Sequence, residues 1–160
     1  MNNWRFQVVE VPVTIGSLDA YTANDIVGGT LTSDAIEQIS GNGGFISWVR
    51  LVDDATQAEA YTLYVYSAAP STIADDAEFV PTEADNIKCL GRIAIAAGDY
   101  DTAGTEADRA MVKAIDSDTG DYVYFPNLPS GYLYFRLVAG DTPDYADADD
   151  LTLHLGIFVK

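Results

Sequence analysis

The chain has 160 residues, 48% of them hydrophobic, with one Cys, one His and 25 acidic against 8 basic side chains, a formal charge of −17. This length suits a single domain with a self-supporting core, and the hydrophobic content argues against disorder. The charge argues against docking on nucleic-acid phosphates or anionic membranes, the lone Cys89 excludes an intrachain disulfide, and a thiolate zinc site would need more Cys or His.

The start, Met1 to Arg5, lacks a basic region followed by an apolar stretch, so no signal peptide is expected. No apolar run approaches the ~20 residues of a membrane-spanning helix. Folding in a cytoplasm is therefore the expectation.

The dominant hydrophobic period is two, which marks half-buried strands. In the first segment Trp4, Phe6 and Val8 share one parity, and Val9, Val11, Val13 and Ile15 share the other. A bulge, or an N-terminal arm over 1–13 that changes sheets or reaches a neighbouring subunit, would produce that flip. Pro12 lacks an N–H and points to an edge position. Gly44 to Val52 is nearly continuous in apolar content, as expected of a central strand covered on both faces. Tyr61 to Ser67 is rich in aromatic and β-branched residues. Asp75 to Asn86 is acidic and has room for one helical turn. Residues 105–116 read either as a helix, with Thr105 as a weak cap, or as an edge strand. In Tyr132 to Val138, Leu133, Phe135 and Leu137 face one way, and Tyr132, Tyr134 and Arg136 the other. Leu151 to Val159 has five aliphatic residues on one face. Turn signals between these segments give about eight or nine strands. The pattern is an all-β antiparallel sandwich, jelly-roll-like, with one short helix as an option and a single domain over 1–160.

Candidate chemistry is sparse. His154 lies on the polar side of the last strand, and its plainest reading is a surface residue. Cys89 reads as a small hydrophobe. The acidic turn Asp116–Asp121 resembles a fragment of a calcium loop but lacks the full ligand spacing, and no metal site or cofactor is expected from it. The stretch Gly41 to Gly44 lacks the Lys-Ser/Thr of a phosphate loop and reads as a hairpin connection. Tyr and Arg are enriched where proteins meet, which singles out Tyr132, Tyr134 and Arg136, and the apolar arm adds Trp4, Phe6 and Val8. Stacking aromatics also suit a sugar, so a carbohydrate- or receptor-binding module of a tail or fibre is the alternative. A glycosidase built on two of the many carboxylates is a third and weaker option.

Four segments, YTANDIVGGTLT (Tyr21 to Thr32), GGFISWVRLVDDATQAEAYTLYVYSAAPSTIADDAEF (Gly43 to Phe79), ADNIKCLGRI (Ala84 to Ile93) and GYLYFRLVAGDTPDYADADDLTLHLGI (Gly131 to Ile157), follow one another in an order that resembles small virion structural proteins of tailed bacteriophages. The resemblance covers most of the chain and is poorest over Asp99 to Asp121. It rests on strands and turns and carries no catalytic signature. It implies a non-enzymatic capsid decoration (cement) protein, located in the virion and assembled in the host cytoplasm. Its partner would be the major capsid protein, and it would form a homo-oligomer, a trimer by preference.

Overall fold

The computed structural model describes residues 4–16, 20–37, 43–100, 109–114 (backbone) and 122–160. Nine strands and one short helix follow in the order β1 (Arg5–Val11), β2 (Ile26–Thr32), β3 (Gly44–Asp53), β4 (Tyr61–Tyr66), α1 (Glu83–Lys88), β5 (Cys89–Ile95), β6 (Arg109–Ala114), β7 (Val123–Phe125), β8 (Tyr134–Ala139) and β9 (Leu151–Val159), with a 3-10 turn at Ala97–Asp99. One sheet runs β1-β9-β3-β6, with β7 also on β3. The other runs β2-β8-β4-β5. Every strand pairing is antiparallel. This is an all-β sandwich with jelly-roll connectivity, in which β6 and β7 together fill one strand position beside β3.

The core lies between the sheets, where period-two patterning places it. Val9, Val11, Val49, Leu51, Leu153, Leu155 and Ile157 meet Leu31, Leu63, Val65, Ile93, Phe135 and Leu137, all buried. Burial of each such side chain is worth about 1.5–3 kcal/mol, so this layer dominates stability.

Two expectations are corrected in detail, and one open alternative is decided. β1 carries no bulge, since it pairs with β9 without a break from Arg5↔Val159 to Val11↔Leu153. The apparent flip arises because both sides of this edge strand are apolar. β3 is covered on one face only, since Phe45, Trp48 and Arg50 are half-buried on its outer side. Residues 109–114 form β6, so the strand reading holds there, while 105–108 and 115–116 lie outside the described residues. The acidic turn 116–121 also lies outside them.

The outer face of the second sheet is covered by the chain itself. Residues 67–88 form a strap across it. Arg136, read from the sequence as an outward anchor, is 1% exposed. Its guanidinium donates to the Ser71 and Ile73 carbonyls beneath the strap. Tyr64 packs on Phe79 at 4.6 Å between ring centroids. Tyr66 is buried, and that burial pushes its phenol up to about 12.

Two carboxylates hold the strap, Asp75 tying it to residues outside it and Asp85 tying its two ends to each other. Asp75 accepts from the Gly16 and Gly28 amides at 2.9 and 2.5 Å and from the Tyr21 hydroxyl. Gly28 has φ +76°, a left-handed conformation available to glycine without strain, where β2 shifts register against β8. Asp85 closes a capping box with Thr82 at the start of α1, the helical turn allowed by the sequence, and also accepts from the Ser71 hydroxyl and amide. The Ser71 hydroxyl, ahead of the other donors, holds the Asp85 carboxyl well below the usual range, against an opposing push from desolvation.

Two outcomes are expected. Arg136→Ala should lower stability by about 3 kcal/mol in chemical denaturation, because it strands two strap carbonyls. The native state favours ionised Asp85, so its contribution is complete above the ordinary carboxylate pKa near ~4 and is lost as pH falls below it. The stability gap between wild type and Asp85→Asn should therefore narrow from pH 5 to pH 2. A gap independent of pH would show that the carboxylate charge does not fasten the strap.

Candidate functional site

Among the described residues, none forms a strap over the outer face of the five-stranded sheet. Strand register sets Phe6 of β1, Phe158 of β9, Phe45 of β3 and Tyr124 of β7 in one row across four strands. Phe45 and Phe158 stack at 5.2 Å, Phe6 meets Phe158 at 5.2 Å, and Tyr124 lies 5.9 Å from Phe45. Trp4 reaches over β9 to Phe45 at 5.4 Å, and Tyr122 joins the cluster at 4.9 Å. Each aromatic pair adds about 0.5–1.5 kcal/mol to the sheet.

The next row is built around a bulge. β3 slips against β9 between Ile46 and Trp48. Ser47 is the extra residue, and its hydroxyl donates to the Gly156 carbonyl at 3.0 Å. The slip re-aims Trp48 outward, onto the same side as Phe45 although their parities differ. The indole lies where any side chain at position 156 would stand, so Gly156 is required by close approach. Trp48 also contacts Phe6 at 6.4 Å. Across from Ser47 the paired strand is interrupted too, since β6 ends opposite Trp48 and β7 begins opposite Ile46.

A polar row bounds the aromatic one. His154 sits between Glu10 and Arg50 in register. Its Nδ1 accepts from Arg50 at 3.4 Å and its Nε2 lies 3.9 Å from Glu10. Arg5 pairs with Glu37 at 3.8 Å at the sheet edge.

Exposure separates a docking surface from mere cross-strand packing. Trp4, Phe6, Val8 and Tyr124 are 42%, 50%, 56% and 63% exposed. This contiguous apolar face is the candidate interaction surface. The chain carries 25 carboxylates. The patch itself is formed by Trp4, Phe6, Val8, Phe45, Trp48, Tyr122, Tyr124 and Phe158, and Glu10, next to Val8 on the same face of β1, lies at its border.

The six residues singled out from sequence are thus divided. Trp4, Phe6 and Val8 lie together on this face. Tyr132, 38% exposed, and half-buried Tyr134 belong to the opposite sheet, and Arg136 is enclosed there. Phe45, Trp48, Tyr122, Tyr124 and Phe158 escaped the sequence reading. Their available signal was aromatic rather than aliphatic identity at outward positions.

A second polar cluster lies in the core. Asp53, at the end of β3, is fully buried. Its Oδ2 accepts from the Ala58 amide at 2.6 Å, while its Oδ1 has no partner, and burial raises its pKa. The Tyr61 and Tyr145 hydroxyls bond to each other nearby, and burial raises the Tyr145 phenol. Among the described residues no three His, Cys, Asp or Glu side chains converge as metal ligands. Comparison with protein-family models, curated proteins and solved structures finds no match.

Gly156→Ala should cost about 1–3 kcal/mol by overpacking and should alter tryptophan emission as the indole is displaced. In a Trp48→Ala background the same change should cost much less. Equal costs in both backgrounds would show that Trp48 is not what position 156 accommodates.

Proposed function

We propose that the chain is a non-enzymatic structural protein of a tailed-phage virion. It docks on the outside of the capsid shell through the aromatic face of its five-stranded sheet and stabilises the shell as a decoration protein. The observation that carries this reading is the exposed aromatic patch, bordered by Glu10, His154 and Arg50, on a chain of charge −17. Acidic surface elsewhere keeps many copies soluble and apart on a crowded particle, and the one extended apolar face supplies the contact. The jelly-roll connectivity fits, being an architecture shared by viral capsid and lectin domains. The segment-by-segment resemblance to virion structural proteins points the same way.

The ring contacts in this face run from 41° to 73° between planes, apart from the Phe45–Phe158 pair at 22°. A corrugated surface of tilted rings suits the side chains of a protein partner.

Co-sedimentation with preformed phage shells tests the reading. The double variant Phe6→Ser/Tyr124→Ser should keep its circular dichroism spectrum and bind at least about 30-fold more weakly, the effect of losing one anchoring hot spot. Undiminished binding, or a reproducible glycan hit that depends on Tyr124, would overturn it.

A further inference from the structure

We propose that Asp53 is carried in the folded chain as the neutral acid, and that its proton sets a latch at one end of the sandwich which loosens as pH rises. Asp53 closes β3 and is completely buried, in register with Leu151 of β9 on one side and Arg109 of β6 on the other. Its Oδ2 accepts from the Ala58 amide at 2.6 Å, and its Oδ1 has no hydrogen-bond partner. The buried Tyr100 hydroxyl has none either.

Asp85 gives the comparison within the same chain. It is as deeply buried, at 2% exposure, but four donors meet its two oxygens, the amide and hydroxyl of Ser71 and of Thr82. A carboxylate so provided stays charged away from water. Asp53 receives a single direct bond, and an ionised carboxyl with one bare oxygen is the costly form in an interior. The neutral acid keeps a carbonyl oxygen for the Ala58 amide and turns Oδ1 into a hydroxyl. Burial pushes the Asp53 carboxyl up, the Ala58, Gln57 and Ala55 amides work against that push, and Asp150 adds to it. Glu59 and the phenols of Tyr100 and Tyr145 also lie within reach of the Asp53 charge. All of these neighbours are acids, and the one base placed across from Asp53 in register is Arg109.

Charge on Asp53 acts where two loops are tied together. The Asp54 amide donates to the Asp150 carbonyl at 2.8 Å and the Gly140 amide to the Ala60 carbonyl at 2.7 Å. The Gln57 side chain bonds the Asp144 backbone through both its oxygen and its nitrogen. Between these ties Thr56 and Ala58 hold φ of +61° and +51°, left-handed backbone that a β-branched Thr adopts only under restraint. An ionised Asp53 is drawn toward water, and the turn 53–58 releases strain when it follows. The latch therefore opposes the strap. Asp85 needs its charge and Asp53 its proton, so the strap loosens as pH falls and this end loosens as pH rises. The inference goes beyond the docking reading and stands whether or not the aromatic face binds a shell.

Chemical denaturation of wild type and Asp53→Asn from about pH 5 upward provides the test, a range in which the Asp85 contribution is already complete. Where Asp53 is protonated in the fold and ionised in the unfolded chain, the native state binds one proton more. The stability that Asp53 contributes is therefore full below the ordinary carboxylate range and is lost as pH rises through its raised folded value. Asn has the shape of the neutral acid and no charge to gain. The unfolding constant of wild type should thus climb relative to that of Asp53→Asn, by up to about tenfold per pH unit. Over the same range the amides of 53–60 and 140–150 should lose hydrogen-exchange protection in wild type and keep it in the variant. If Asp53→Asn does not fold, the carbon-13 shift of the Asp53 carboxyl in wild type decides, with the protonated form expected at about pH 5, where exposed carboxyls are ionised. A ratio of unfolding constants that stays level with pH, loop protection that falls equally in both chains, or an ionised Asp53 at about pH 5, as an ion pair with Arg109 would give, would overturn the inference.

Discussion

In any sandwich the period-two geometry of strands settles the inner faces and leaves each outer face to be dealt with separately. Here the two sheets differ. Over β2-β8-β4-β5 the chain lays its own strap, held by Asp75, by Asp85 and by the enclosed guanidinium of Arg136. Over the β1-β9-β3 sheet the described residues lay none and instead set aromatic side chains across four strands. The asymmetry gives the molecule one closed side and one side of exposed aromatic rings, and the functional reading depends on it.

The aromatic side is built as closely as the core. The slip at Ser47 turns Trp48 outward, Gly156 leaves room for the indole, and a register of close pairs brings Phe6, Phe158 and Phe45 into contact. The polar row Glu10–His154–Arg50 then ends the apolar surface abruptly. A face with a defined boundary and interlocked rings is pre-organised, so little side-chain entropy remains to be lost when a partner covers it.

The inner layer was legible in the sequence because strict alternation has one physical meaning, and Leu151 to Val159 and Leu133 to Leu137 declare it without ambiguity. The short helix was legible in outline, as an acidic turn ending near Asn86. The fate of the outer faces was not legible. Tyr132, Tyr134 and Arg136 have the same parity and look alike in a list of residues. Only the course of residues 67–88, a long-range property, encloses Arg136 and leaves Tyr132 partly open. Trp4, Phe6 and Val8 stood out because the apolar parity changes between Val8 and Val9, which reads as a bulge or an arm. Their neighbours Phe45 and Phe158 come from strands far apart in sequence. Trp48 was hidden by a bulge in β3, while the irregularity expected in β1 turned out to be an unbroken strand with two greasy sides.

The central claim is that the unstrapped sheet face is the contact surface. Electron cryomicroscopy of phage shells saturated with the chain addresses it most directly. The account predicts density that sets Trp4, Phe6, Trp48 and Tyr124 against the shell, with the strap and its acidic residues turned to solvent. A bound chain seated on its strap, with the aromatic face exposed, would contradict it.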